Sequence, residues 1–232
     1  MKYHKIDHCR LCNSKKIKQI IDFGPICSSS TFPYKKFKYE KITPMIFGIC
    51  NSCKLAQLLH NYNLKELYND NYGYRSGINP AMIKHLTGIT KDIKKIVSFK
   101  RGDYALDIAS NDGTLLKSYE LSRIKYVGID PTISRFKNYY PKKFKTKSTF
   151  FSKNRYLDLS KKKKAKSITS IAVFYDIIKP DIFVSEIKDI LTDDGIWVME
   201  QTYLPTLIKN CGYDFIVFQW IHNCRRNNNS FT

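Results

Sequence analysis

Nowhere in the 232 residues do about 18 apolar residues run together, the length a membrane-spanning helix requires, so a transmembrane reading is excluded. No apolar stretch follows Met1-Lys2-Tyr3-His4-Lys5 either; no secretory signal is expected, and the chain is assigned to the reducing cytoplasm. The glycine patterns G-x-x-x-x-G-K-S/T and G-x-G-x-x-G are missing, which removes the usual triphosphate and dinucleotide cradles. Acidic residues are scarce, 20 against 40 basic, and the resulting charge of +20 is spread along the chain: 18 basic and 6 acidic in residues 1–100, 22 and 14 in residues 101–232. Such a charge attracts nucleic acid, an anionic membrane surface or a diphosphate-bearing substrate without choosing among them. Its densest stretch, residues 135–166, holds 13 basic residues and the single acid Asp158, and the run Lys161-Lys162-Lys163-Lys164 within it reads as a solvated loop. Disorder is excluded as well, since 43% hydrophobic and 14% aromatic residues suffice for a core. At about 100–200 residues per domain the chain is one large domain or two modest ones.

Seven cysteines without a secretory signal do not read as disulfides. Cys9-Arg10-Leu11-Cys12 and Cys50-Asn51-Ser52-Cys53 are two C-x2-C knuckles separated by 37 residues. Each knuckle lets two thiolates reach one tetrahedral ion, and Cys9, Cys12, Cys50 and Cys53 together make an all-sulfur shell that favours zinc. A shell with no open position supplies folding energy rather than catalysis. The connection between the knuckles is expected to hold a hairpin, with Asp22-Phe23-Gly24-Pro25 and Ser28-Ser29-Ser30 as its turn chemistry. Cys27, Cys211 and Cys224 lack a partner at ligand spacing and read as free thiols. A zinc ribbon on a basic chain is one functional reading, a nucleic-acid-binding module; the rest of the sequence disfavours it.

Leu64-Lys65-Glu66-Leu67-Tyr68 begins a short helical pattern, and the loop Tyr72-Gly73-Tyr74-Arg75-Ser76-Gly77 follows, its tyrosines either packing residues or pocket lining. After Asn79-Pro80, a good helix entry, Met82, Ile83, Leu86, Ile89, Ile93, Ile96 and Val97 recur at helical spacing, with Arg101-Gly102 as the stop. We therefore divide the chain into a zinc-binding unit with linker, residues 1–78, and an α/β unit, residues 79–232. In the second unit Asp103–Ala109 reads as a buried strand, Ser110-Asn111-Asp112-Gly113 as a turn of small residues, and Thr114-Leu115-Leu116-Lys117 as a helix start. Such a turn is where α/β proteins bind nucleotides. Acidic Asp107 and Asp112 repel a pyrophosphate and suit a ligand with an ammonium group, as S-adenosylmethionine has. A second strand, Lys125–Ile129, ends in Asp130, 23 residues after Asp107, where an acid accepts hydrogen bonds from ribose hydroxyls. Two further strands, Ile168–Phe174 and Gly195–Met199, end at Tyr175-Asp176 and at Glu200, with a crossover helix over Ile182–Leu191 and a turn at Thr192-Asp193-Asp194-Gly195. The alternation predicts a doubly wound parallel sheet, with Asp107, Asp130, Phe174, Tyr175 and Glu200 around one crevice off its carboxyl end. Phe174 and Tyr175 are open to a second reading as core packing.

From Cys9 to about Asp214 the sequence resembles the S-adenosylmethionine-dependent C-methyltransferases of sugar biosynthesis. The likeness rests on the two knuckles, the Tyr72–Ser76 loop, Leu106-Asp107-Ile108-Ala109-Ser110-Asn111-Asp112-Gly113-Thr114, Gly128-Ile129-Asp130-Pro131, Phe150-Phe151, Ala172-Val173-Phe174-Tyr175-Asp176 and Gly195–Pro205. It implies a zinc-binding unit ahead of a Rossmann-like class I methyltransferase domain, with S-adenosylmethionine and zinc as cofactors and a nucleotide-linked keto-sugar as substrate, methylated through an enolate. It implies further that Asp107, Ala109, Ser110, Asn111, Asp112 and Gly113 border the methionine part of the cofactor. Asp130, with Pro131 beside it, would hold the ribose, Phe151 would lie near the adenine, and Phe174 would be a further contact. Tyr72, Tyr74 and Glu200 are the catalytic candidates.

The likeness stops after Tyr213-Asp214, where the family's His-Glu-His segment, with its acid–base residues, gives way to Phe215–Thr232. The expectation is a shortened chain with an incomplete sheet, in which His222 either stands in for the base or is a stray surface histidine. Two readings compete with an active enzyme: a remnant that binds cofactor without turnover, and the basic nucleic-acid module.

Overall fold

The computed structural model describes residues 3–27, 42–69 and 71–211. At the front, β2 (Ile17–Cys27) pairs antiparallel with β3 (Ile42–Cys50), and β3 with β4 (Ala56–Leu58). β1 (Tyr3–Lys5) pairs with β5 (His60–Tyr62). The hairpin expected between the knuckles is β2–β3. Asp22-Phe23-Gly24-Pro25 is not its turn, however, but an irregularity inside β2, where Gly24 takes φ +74° and its N–H donates to Asp22 Oδ1 at 2.8 Å. The connection, with Ser28–Ser30, lies outside the described residues, as do Cys224, His222 and the rest of 212–232.

Polar caps set the helices that follow. α1 (Leu64–Leu67) and α2 (Pro80–Ile96) begin at Asn63 and Asn79, whose side chains accept from the N–H groups of Lys65 (3.2 Å) and Ala81 (2.9 Å). α2 buries Leu86, Thr90 and Ile93 and leaves Ile83 and Ile96 exposed. It ends at Ile96 rather than at Arg101-Gly102, because Val97 and Phe99 leave helical geometry to enter the core.

β6 (Tyr104–Ile108), β7 (Lys125–Ile129), β8 (Lys145–Lys147), β9 (Ala165–Ile171) and β10 (Leu191–Glu200) form one parallel sheet in the order β10-β9-β6-β7-β8. The intervening helices are α3 (Thr114–Ser118), α4 (Ile133–Phe136), α5 (Lys153–Ser160) and α6 (Pro180–Ile190); α7 (Leu204–Lys209) follows β10. Strand alternation distributes the core: Tyr104, Leu106 and Ile108 face one layer with Tyr156, Phe183 and Ile187, while Ala105 faces the other with Leu86, Ile93, Leu115 and Leu116. Helices therefore cover both faces, the doubly wound α/β arrangement of a Rossmann-like domain. Fully burying side chains such as Leu106, Ile129 and Ile168 contributes about 1.5–3 kcal/mol each. Cys9, Cys50 and Leu55 join the first layer, whereas Leu204 of α7 packs with Met45, Phe47 and Leu58 of the front sheet.

The bounds of β9 and β10 differ most from the sequence reading. β9 begins at Ala165, three residues early, because Lys166 is 7% exposed yet pairs its ammonium with Asp194. It ends at Ile171, since Ala172 turns left-handed at φ 55° and Phe174–Asp176 form a single 3-10 turn. The polar stretch Thr192–Gly195 is a bulge within β10, which shifts register between Leu191 and Ile196. No helix of the described residues is long and apolar enough to cross a membrane, and Lys161–Lys164 are exposed at the turn after α5.

Candidate functional site

The two cysteine knuckles meet at the head of the front sheet. Cys9 Sγ lies 3.4 Å from Cys53 Sγ and Cys12 Sγ 3.6 Å from Cys50 Sγ, and all four sulfurs fall within 4.8 Å of one another. A tetrahedral zinc with bonds of about 2.3 Å holds its sulfurs roughly 3.8 Å apart, so the four thiolates fit the ion. Arg10, between the first two ligands, stitches the knuckle to the chain beyond the second. Its guanidinium donates to Leu58 O at 2.9 Å, His60 O at 2.8 Å and Asn61 Oδ1 at 2.7 Å, and its backbone N–H donates to Gln57 Oε1 at 3.1 Å. Burial pushes the Arg10 pKa down to about 10. In the sequence Arg10 looked like an ordinary polar turn residue.

At the carboxyl ends of β6, β7, β9 and β10 lies a cavity of about 470 Å³, closed on one side by Tyr68, Tyr72, Tyr74 and Ser76. It is lined by Tyr72, Tyr74, Asp107, Ala109, Ser110, Asn111, Asp130, Pro131 and Glu200 from the expected set, with Tyr175 beside them. Asp112, Gly113, Phe151 and Phe174 are not on the lining. Asp112 is fully buried: Oδ1 accepts from the N–H (3.1 Å) and hydroxyl (2.6 Å) of Thr114, and Oδ2 from the Gly77 N–H (3.1 Å) and the Arg75 guanidinium (3.4 Å). Its charge caps α3 and docks the 75–77 loop instead of facing a ligand. Gly113, at φ +76°, backs onto Tyr140, whose Cε1 would stand 2.7 Å from an added Cβ. Phe151 stacks edge-on against Phe183, with centroids 5.4 Å apart, and Phe174 packs among Phe183 and Trp197. Phe150, one residue earlier, lines the cavity.

The strand tips are held by a small network. Asp130 Oδ2 accepts from the Asn111 N–H at 2.9 Å, while Oδ1 accepts from the Thr132 N–H at 2.6 Å and its hydroxyl at 2.5 Å. Asn111 in turn donates through Nδ2 to Tyr74 O at 3.1 Å and accepts at Oδ1 from the Ser76 N–H at 2.9 Å, fixing the tyrosine loop to the turn. Ala109 (φ 60°) and Ala172 (φ 55°) are left-handed at the tips of β6 and β9, a conformation costing an L-residue roughly 1–2 kcal/mol, and both line the cavity. Tyr140 braces the turn: its hydroxyl donates to Asn111 O at 2.9 Å and lies 2.8 Å from Ser110 Oγ. Replacing Tyr140 with Phe removes that brace without changing the ring, and should lower stability by about 1 kcal/mol, read as a lower urea midpoint at unchanged slope.

Two carboxyls of the cavity carry shifted pKa values. Asp107, 4% exposed, accepts from Thr169 Oγ1 at 2.6 Å; burial, reinforced by the neighbouring Asp130 charge, raises it to about 7. Asp176 accepts at Oδ2 from the Tyr68 hydroxyl at 2.6 Å, and burial raises it to about 7 as well. Glu200 is tied to His85 on α2, with Nε2 2.6 Å from Oε2. Tyr68, Asp176 and His85 escaped the sequence reading; the one signal for Asp176 was an acid following an apolar run, the same mark that singled out Asp130.

Residues 9–68 match the family described as "Putative zinc binding domain". Over 216 residues the chain is 23% identical to C-methyltransferase NovU of Streptomyces niveus, in an alignment taking in 91% of this chain and 51% of that protein, so the chain spans about half the length of the curated relative it matches. Among solved structures it is similar to the plantazolicin methyltransferase BpumL in complex with a triazolic desmethylPZN analog and SAH, at 16% identity and a TM-score of 0.48, covering 62% of this chain and 59% of that one. It is similar too to the plantazolicin methyltransferase BamL in complex with the same kind of analog and SAH, at 17% identity and a TM-score of 0.46, covering 59% and 54%. The chain is thus similar over most of its length to part of a C-methyltransferase, and its residues 9–68, which hold the four-cysteine cluster, match a zinc-binding domain.

Proposed function

We propose that the protein is an S-adenosylmethionine-dependent C-methyltransferase acting on a nucleotide-linked keto-sugar, working in the cytoplasm, where four thiols stay reduced for zinc. The observation that carries this reading is the placement of Asp107 and Asp130 on the walls of one cavity at the carboxyl ends of a parallel sheet. When bound, S-adenosylmethionine supplies a methyl group on a positively charged sulfur. Asp107 offers a desolvated carboxylate to the ammonium group. Asp130 already accepts three hydrogen bonds, and of the roughly four acceptor positions of a carboxylate it keeps room for one ribose hydroxyl rather than two. Ala109, Ser110, Asn111 and Pro131 border the same cofactor. Tyr72 and Tyr74, on the wall formed by the docked loop, are donors toward an enolate oxygen. Burial, with Asp130 and Asp176 nearby, pushes the Tyr72 hydroxyl above its usual range, so it remains a donor at neutral pH.

Calorimetry of the full chain with S-adenosylmethionine tests the reading. One site per chain is expected, with an affinity that depends on pH in a definite sense. Asp107 is raised to about 7 in the free protein, so it is ionised at pH 8 and protonates as pH falls through 7. Affinity for the cation should then weaken by about tenfold per pH unit below 7, and Asp107→Asn should weaken binding at pH 8 and flatten the profile. No binding of S-adenosylmethionine, together with tight salt-dependent binding of DNA or RNA, would favour the nucleic-acid module instead.

A further inference from the structure

We infer that Asp176 is the group that removes the proton from the carbon beside the substrate carbonyl, with Tyr68 as its positioning partner; this rests on the functional reading above. Four carboxylates line the cavity, and three are otherwise engaged. In the reading above Asp130, already held by the Asn111 and Thr132 donors, gives its remaining acceptor position to the ribose, Asp107, held by Thr169, faces the ammonium group, and Glu200 is paired with His85. Asp176 sits on the 3-10 turn after β9, held at one oxygen by the Tyr68 hydroxyl across 108 residues of sequence. A partner that reaches so far along the chain fixes the carboxylate on the wall it shares with Tyr72 and Tyr175.

The groups around Asp176 are phenols: Tyr68 at the end of α1, Tyr72 from the docked loop and Tyr175 beside it. Among the described residues no lysine or arginine forms an ion pair with it. Burial therefore raises it to about 7 without a compensating cation, which is the basicity a proton acceptor needs at neutral pH. Burial, then the Asp176 charge, pushes the Tyr68 hydroxyl well above its normal range, so it stays a donor.

In the step, the Asp176 carboxylate takes the proton and becomes a carboxylic acid, and the C–H electron pair passes into the enolate. The enolate carbon then forms its bond to the transferred methyl as the methyl–sulfur bond breaks, its pair going to sulfur to leave a neutral thioether. The proton on Asp176 returns to water.

The test uses the full chain, S-adenosylhomocysteine in place of the methyl donor, and thymidine-diphosphate-linked ketodeoxyglucose in heavy water, with deuterium incorporation beside the carbonyl followed by NMR. The wild-type chain should exchange that proton at a rate that climbs as pH rises through about 7, where the carboxyl ionises. Asp176→Asn keeps an acceptor for Tyr68; it should bind S-adenosylmethionine within threefold of wild type, yet exchange roughly a hundredfold or more slowly and without that pH limb. Tyr68→Phe should move the limb while retaining exchange. Exchange in Asp176→Asn equal to wild type, with cofactor still bound by both, overturns the assignment alone. A wild-type chain that binds no S-adenosylmethionine, or binds it and exchanges nothing, overturns the functional reading and this assignment with it.

Discussion

Cys50→Ser should strip the protein of metal and unfold its front. Metal analysis of the wild-type chain is expected to find one zinc, and of the variant none. Structural zinc in small domains contributes on the order of 10 kcal/mol of folding energy, comparable to the entire stability of about 5–15 kcal/mol of a typical domain. Cys50 is completely buried and shares a core layer with Leu106 and Ile168, so the loss reaches past the knuckle into the α/β layers. The cavity wall made by Tyr68, Tyr72 and Tyr74 follows on this segment, and cofactor affinity should fall with the metal. Limited proteolysis read by mass spectrometry should show cuts within residues 42–68 that the wild-type chain resists. Cys211→Ser is the control: that thiol is exposed and far from the cluster in sequence, and its loss should change neither zinc content nor melting temperature. A Cys50→Ser protein that keeps its zinc and its melting temperature would remove the metal from the account of this fold.

Asp130→Ala should damage stability and cofactor binding together. The carboxylate joins the tips of β6 and β7, and its removal leaves the N–H groups of Asn111 and Thr132 without their acceptor in a buried turn. Each orphaned donor costs about 1–3 kcal/mol. If Asp130 holds the ribose as proposed, loss of that charge-assisted bond should weaken cofactor binding by about 1.5–3 kcal/mol more. Asp130→Asn, which keeps one acceptor oxygen, should fall between the two. Chemical denaturation reads the first effect and calorimetry the second. Lowered stability with unchanged affinity would make Asp130 a structural staple and nothing else.

Features set by chemistry close along the chain were visible in the amino-acid order. The knuckles were readable because two cysteines three positions apart can hardly serve one ion in any other way. The same holds for the helix entered at Asn79-Pro80, and for the acid closing β7, since hydrophobic periodicity and cap chemistry act within a few residues. Where a distant residue decided the outcome, the order of residues was silent or misleading. Lys166 lay ahead of the expected strand, yet Asp194 takes up its charge and lets it join β9, and Asp112 looked like a ligand anchor although Thr114, Gly77 and Arg75 consume every oxygen position it has. Phe150 and Phe151 are indistinguishable by composition; packing against Phe183 turns one inward and leaves the other on the cavity.

By itself, then, the sequence determined a four-cysteine metal shell, an alternating α/β sheet and an acid at each of its first two strand tips. Only tertiary structure decided which carboxylates keep oxygens for a ligand, and that Asp176 and Tyr68 meet at all. The reason is physical: periodicity and spacing encode which way a side chain leaves its own backbone, whereas desolvation and long-range hydrogen bonding depend on what the rest of the chain brings against it.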